Sequence, residues 1–256
     1  MVDCFLVCPT HRRTKVFMNK TWKLLQKTNA PKPILWVKDD KDVEDYTQLN
    51  LGLTILKGGN NIAETRNLIQ DFFPLNTKII MIDDDIKNIV VSEEHNKKRD
   101  LTDFNSFASE AFALCEKYNT SLFGVYPVDN SLFMKPNIRT NLCYINGSLF
   151  GIINKRIHTN IDIPNAEDNE RSIRHFILEK KVLRLEFIGI STRYYKEQGG
   201  LQITRTDALN TSDKEALVKL FPELCKTIIK KKSNKTEIAF IKSRQQLIPY
   251  NTDNIL

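Results

Sequence analysis

The chain has 256 residues, 41% hydrophobic and 27% charged, which is enough apolar material for one large core and excludes a disordered or fibrous class. No apolar run reaches the roughly 18 residues of a membrane span and no secretory leader pattern opens the chain, so a cytoplasmic protein without membrane contact is expected. The net charge of +7 favours polyanionic partners and says nothing about fold.

Cys4-Phe5-Leu6-Val7-Cys8 reads as a first strand, stopped by Pro9 and followed by Thr10, His11, Arg12 and Arg13. That donor-rich end suits a nucleotide phosphate or base, although a plain basic loop has the same composition. Residues 16–27 carry helical periodicity, and Ile34-Leu35-Trp36-Val37 is a second strand. A third is expected at residues 53–56. Gly58-Gly59 then opens a helix over residues 62–73 that contains Glu64, Arg66 and Asn67. Glycines before a helix allow close backbone approach, and its first N–H groups can meet an anion, but an ordinary turn has the same look.

Lys78-Ile79-Ile80-Met81-Ile82 is an unbroken apolar run of strand length, followed at once by Asp83, Asp84 and Asp85. Three neighbouring carboxylates repel one another at a strand end, and a hard divalent cation that keeps positions open for phosphate oxygens would hold them. A solvated acidic turn is the plain alternative. Alternating strands and helices make the first hundred residues a Rossmann-like half, with Pro9–Arg13, the Asp40 region and Asp83–Asp85 on the ligand-binding edge.

Residues 87–99 read as a polar loop and residues 101–118 as an amphipathic helix. Strands are expected at residues 121–126 and, as a hairpin or bulged strand around Asn146-Gly147, at residues 142–153. A helix begins near Asn165, with Glu167, Asp168 and Glu170 in its first turn. Acids there complement the helix dipole, yet the same position suits a general base. A strand at residues 182–190 precedes a loop with Tyr194, Tyr195, Gly199 and Gly200, suited to closing over a substrate. A last helix is expected at residues 213–232 and a strand at 237–241. Over residues 217–256, eight basic residues face three acids, so a basic extension at 213–256 is expected to pack on a domain formed by residues 1–212. Cys4, Cys8, Cys115, Cys143 and Cys225 are scattered through mostly apolar runs, as reduced intracellular thiols would be.

With Pro9 and Arg12, Arg66-Asn67, the Asp-x-Asp of Asp83–Asp85 and Glu167-Asp168 in this order, the chain resembles the metal-dependent nucleotide-sugar glycosyltransferases of the GT-A fold. The resemblance covers residues 5–202 and implies a single α/β domain, a nucleotide-sugar-binding half joined to a mixed acceptor-binding half. The Asp-Asp-Asp-Ile form, Gly124-Val125-Tyr126-Pro127 and Gly199-Gly200 are similar to the TET-associated glycosyltransferases of phages and other viruses, a family thought to glycosylate hydroxymethylated pyrimidines in DNA.

The resemblance implies that Asp83 and Asp85 hold Mn2+ or Mg2+, with Asp85 the direct ligand. Pro9, Thr10, Arg12, Arg66, Asp83, Asp84, Gly199 and Gly200 would contact a sugar nucleotide, a UDP-sugar by first choice. Asp168, or Glu167 beside it, would take the proton of an acceptor hydroxyl in an inverting hexosyl or pentosyl transfer. The histidine that many members place after the base is absent beyond His175. The implied acceptor is a hydroxymethylated base in DNA, with a glycan or glycoprotein as the alternative. A non-catalytic nucleic-acid-binding protein and a nucleotidyltransferase are the competing classes.

Overall fold

The computed structural model describes residues 4–93, 97–192, 206–230, 235–241 and 246–252. In chain order it contains β1 (Cys4–Thr10), α1 (Thr14–Asn19), α2 (Thr21–Lys27), β2 (Ile34–Val37), α3 (Asp40–Thr47), β3 (Ile55–Lys57), α4 (Ile62–Phe72) and β4 (Lys78–Ile82). There follow β5 (Asn88–Ser92), β6 (Lys98–Asp100), α5 (Phe104–Tyr118), β7 (Leu122–Tyr126), β8 (Asn137–Thr140), β9 (Leu149–Ile153), α6 (Glu167–Glu179) and β10 (Leu183–Ser191). The chain closes with α7 (Asp207–Leu220), β11 (Cys225–Lys230), β12 (Lys235–Phe240) and β13 (Gln246–Pro249).

Among the described residues, eleven strands form one mixed sheet whose main path runs β13-β8-β10-β7-β9-β4-β1-β2-β3. The first half is all parallel: β1 pairs with both β2 and β4, and β2 with β3. From β4 onward the direction reverses, because β9 lies antiparallel between β4 and β7. The result is the mixed α/β architecture expected, with the Rossmann-like half ending at the acidic strand.

The apolar run of β4 is explained by burial on both faces. Ile80 and Ile82 join Leu6 and Cys8 under α2 and α5, where Leu24, Phe107, Ala111 and Phe112 lie. Ile79 and Met81 pack with Val7, Ile69, Phe73 and Phe150 on the opposite face. A strand covered on both sides loses polar alternation. Beside it, Gly151 of β9 sits opposite Phe123 of β7, and a Cβ at Gly151 would lie 2.1 Å from the Phe123 ring. Gly151→Ala is therefore expected to cost about 1–3 kcal/mol by overpacking, measured as a lower denaturant midpoint at unchanged slope.

Several expected elements differ. The helix expected over residues 16–27 is two helices broken at Lys20 (φ −124°, ψ −88°), which puts the buried Thr21 against the acidic strand end. The loop expected at 87–99 contains β5, paired with β10, and β6, paired with β5; the buried run Ile89-Val90-Val91 is short and is followed by charged residues through Lys98 and Arg99. Asn146-Gly147 is no hairpin tip, since β8 pairs with β10 and β13, while β9 pairs with β4 and β7.

The last helix starts at Asp207 and stops at Leu220, before Pro222, and residues 225–230 are a strand. Ile228 and Ile229 favour that, and the β11–β12 hairpin gains burial for Cys225, Ile238 and Phe240 beside Leu217. The boundary expected at 212/213 falls inside α7, and β13 rejoins the main sheet through β8. Among the described residues no helix is long and apolar enough to cross a membrane. Cys8, Cys115, Cys143 and Cys225 are buried thiols, their pKa values raised by desolvation.

Candidate active site

At the carboxyl ends of β1 and β4, where the sheet changes from parallel to antiparallel pairing, lies a cleft of about 580 Å³. Its wall includes Pro9, Thr10, Arg66, Asp83, Asp84, Asp85, Glu167 and Asp168. Residues almost 160 apart in sequence therefore meet in one place. Gly199, Gly200, Tyr194 and Tyr195 lie outside the described residues.

The turn after β4 is held by backbone and side chain together. The Thr21 hydroxyl donates to the Asp83 carbonyl (2.8 Å) and accepts from the Ile86 amide (3.0 Å), while the Asp83 amide donates to the Ser148 carbonyl (2.8 Å). This fixes three carboxylates in three environments. Asp84 is 3% exposed and accepts from Thr10 Oγ1 (2.5 Å) and from Arg13 Nη1 (3.0 Å). Asp85, 9% exposed, accepts from Thr192 Oγ1 (2.8 Å) and has Arg13 Nη1 at 3.8 Å. The side chain of Asp83 remains 33% exposed, with Arg66 Nη2 at 3.4 Å.

Desolvation dominates both Asp83 and Asp84, pushing Asp83 up to about 6 and Asp84 up to about 7 despite the opposing pull of Arg66 and Arg13 respectively. Each ordinarily titrates at 3.8, so the folded protein holds extra protons above that pH. Stability of the metal-free protein is accordingly expected to fall as pH rises from about 4 through about 7, chiefly through the buried Asp84. Thermal melts at pH 5 and pH 8 measure this, with Asp84→Asn flattening the slope.

The donor set fits a hard divalent cation: it is all oxygen, it carries more negative charge than its arginines offset, and Asp83 opens to the cleft. Among the described residues, the three metal-capable side chains whose ligand atoms all lie within 4.8 Å of one another are His11, Asp39 and Asp42, while Asp83, Asp84 and Asp85 do not gather that closely. The His11 group fits a metal poorly, because Arg12 Nη2 donates to Asp39 (2.6 Å), the Arg12 amide donates to Asp42 (2.9 Å) and His11 Nδ1 bonds Asp42 (2.7 Å).

Arg12 is thus placed away from the cleft wall, and Arg13 takes the position on it. The cause is local: Arg12 adopts φ +55°, a left-handed turn that redirects the chain after β1. Of the two arginines the sequence offers after β1, Arg12 was expected to contact the donor, and Arg13 is the one on the cleft wall. Sequence reasoning also missed Thr21, Thr192 and Tyr144.

Glu167 and Asp168 are adjacent but unlike. Glu167, 5% exposed, bonds Arg66 Nη1 through one oxygen and Arg171 Nη1 (2.7 Å) through the other. Asp168 faces the cleft, accepting from the Tyr144 hydroxyl on Oδ2 and from the Asn169 amide (2.9 Å) on Oδ1. Helix α6 is entered through a short 3-10 turn, Pro164–Ala166, whose Asn165 is held by Asp213 of α7 at 2.7 and 2.9 Å. Lys214 and Glu237 also line the cleft, bonded to one another at 3.0 Å, so α7 and the β11–β12 hairpin form part of its wall.

No protein-family model matches the sequence, and no curated protein matches it. Among solved structures the chain is similar to glucosyl-3-phosphoglycerate synthase from Mycobacterium tuberculosis in complex with Mn2+, UDP and glucosyl-3-phosphoglycerate, at 8% identity and TM-score 0.49, covering 96% of this chain and 90% of that one. It is also similar to mannosyl-3-phosphoglycerate synthase from Rubrobacter xylanophilus, at 8% identity and TM-score 0.48, covering 96% and 86%. CMP:2-keto-3-deoxy-manno-octonic acid synthetase complexed with CTP matches at 7% identity and TM-score 0.42, covering 71% and 88%. Likeness at that level carries no argument about activity, which has to come from the side chains of the cleft.

Proposed function

We propose that the protein is a metal-dependent nucleotide-sugar glycosyltransferase of the GT-A type that moves a sugar, by first choice from a UDP-sugar, to a hydroxyl acceptor with inversion. One observation carries this: Asp83 and Asp85 at the end of β4 share a single cleft with Asp168, a carboxylate on a separate helix that is open to the cleft. Asp83 and Asp85 would hold Mn2+ or Mg2+. A cation held there would supply Lewis-acid stabilisation of the charge that develops on the departing diphosphate. Arg13 adds a cationic donor on the same wall, while the guanidinium of Arg66, expected to contact the donor, is bonded to Glu167 and the Gly147 carbonyl.

Asp168 accepts the proton of the acceptor hydroxyl as that oxygen bonds to the anomeric carbon and the bond from that carbon to the diphosphate breaks. Tyr144 and Asn169 orient the carboxylate by hydrogen bonds to its two oxygens. The extension at residues 213–256 acts as part of the same unit, because α7 and the hairpin complete the cleft wall.

For the acceptor, a hydroxymethylated pyrimidine in DNA is supported by Lys226, Lys230 and Lys235, exposed on the hairpin whose Glu237 reaches the cleft. Asp162, Asp168, Asp213 and Glu237 make the interior acidic, so phosphates would stay on the outer lysines while a neutral base enters. That same acidic interior supports a glycan acceptor as the second choice. The buried thiols agree with a cytoplasmic setting.

The test is a panel of sugar nucleotides and nucleoside triphosphates with Mn2+, read by thermal shift and then by product. Stabilisation by one sugar nucleotide and its transfer support the proposal, and a steep fall of activity on hydroxymethylated DNA with added salt supports that acceptor. Release of pyrophosphate from a triphosphate would replace it by nucleotidyl transfer. No shift with any compound would leave only a binding protein.

A further inference from the structure

Glu167 cannot serve the acceptor as Asp168 does, because both of its carboxylate oxygens are taken by buried guanidiniums. What those guanidiniums touch is more informative. Arg66, from α4, donates through Nη2 to the Gly147 carbonyl (2.7 Å) and faces Asp83 at 3.4 Å. Arg171, one turn along α6, reaches the Ile145 carbonyl (3.3 Å) and stacks on Phe150 with 3.7 Å to the ring centroid. Arg66 lies over the same ring at 5.2 Å, and Phe150 is paired with Met81 of β4. Gly147 leaves room for this, since a Cβ there would stand 2.7 Å from Arg66 Nη1.

Building on the glycosyltransferase reading, we infer that Glu167 is a positioning residue: with Arg66 and Arg171 it forms a buried clamp that sets the place of Asp168 relative to Asp83. The next residue along α6 is the base, so any shift of Glu167 moves the base with it. Two guanidiniums against one carboxylate leave one positive charge, and Asp83 faces it. The clamp therefore joins the two ends of the site by charge as well as by hydrogen bonds. Near-attack geometry is sensitive to displacements of about 1 Å, which makes such a link consequential for rate.

The experiment compares E167Q, G147A and D168N in the full chain. The first two are expected to lower kcat for transfer about 10- to 100-fold, with KM for the sugar nucleotide within about 3-fold and the pH profile of the residual rate keeping its shape. G147A displaces Arg66 without removing a carboxylate, so a shared kcat–KM split identifies the clamp and not one lost charge. In metal-free crystals, E167Q should show Asp168 shifted from Asp83 by about 1 Å or more.

Wild-type kcat in E167Q, or an unmoved Asp168, overturns the clamp. Loss in E167Q of the acidic limb of the pH profile, where rate rises as the base deprotonates, together with an active D168N makes Glu167 the base and overturns it too. A parallel fall of melting temperature, donor affinity and kcat reduces Glu167 to a fold-stabilising role and also overturns it. If wild-type protein transfers sugar from no nucleotide, the glycosyltransferase reading fails, while the crystallographic comparison still decides the clamp.

Discussion

On the proposed glycosyltransferase reading, Asp85→Asn is expected to abolish metal-dependent sugar transfer, lowering kcat by about 10³-fold or more, while the metal-free protein melts no lower than wild type. The two halves of that expectation have the same cause. Asp85 is 9% exposed and stands beside two other carboxylates, with one guanidinium group 3.8 Å away and the Thr192 hydroxyl at 2.8 Å. In a protein without metal, its charge adds to the repulsion that helps hold Asp83 and Asp84 above their ordinary pKa values. Removing it relieves the folded state and, on the proposed reading, takes away a ligand for the cation at the same time. A structural role for the cluster would give the opposite pattern, a lower melting temperature with no metal dependence to lose. Melts with and without Mn2+, beside transfer assays, separate the two.

Asp168→Asn should lower kcat for transfer by about 10²- to 10⁴-fold and leave binding of the sugar nucleotide within a few-fold of wild type. The substitution keeps the shape of the side chain and leaves an amide oxygen to accept from Tyr144 or Asn169. It removes only the capacity to take a proton. Titration calorimetry for the donor and stopped-time assays for transfer check both parts. Equal loss of donor affinity and rate would mean that Asp168 binds the donor and that the base lies elsewhere.

The fate of individual residues shows how far sequence reasoning reached. The β4 run and the three aspartates were legible because a strand buried on both faces and a local cluster of like charge are both written in adjacent residues. Asp168 was legible as one of a pair. Its neighbour could not be told apart from it, since the difference is made by Arg66 from α4 and Arg171 one turn on. Which of Arg12 and Arg13 lines the cleft was not legible, because it is decided by the single left-handed residue Arg12. Thr21 falls within the single helix expected over residues 16–27; the break at Lys20 brings it to the Asp83 turn.

The sequence by itself determined the Rossmann-like half, the apolar strand and the acids at its end, because these follow from short-range periodicity and charge. Only the tertiary structure decided which acids are spent on buried arginines and which are open, and that α7 with its hairpin walls the cleft. Partners distant in sequence, Thr10 and Arg13 for Asp84, Thr192 for Asp85 and Arg66 for Glu167, set the hydrogen bonding of those carboxylates, and no local pattern encodes them.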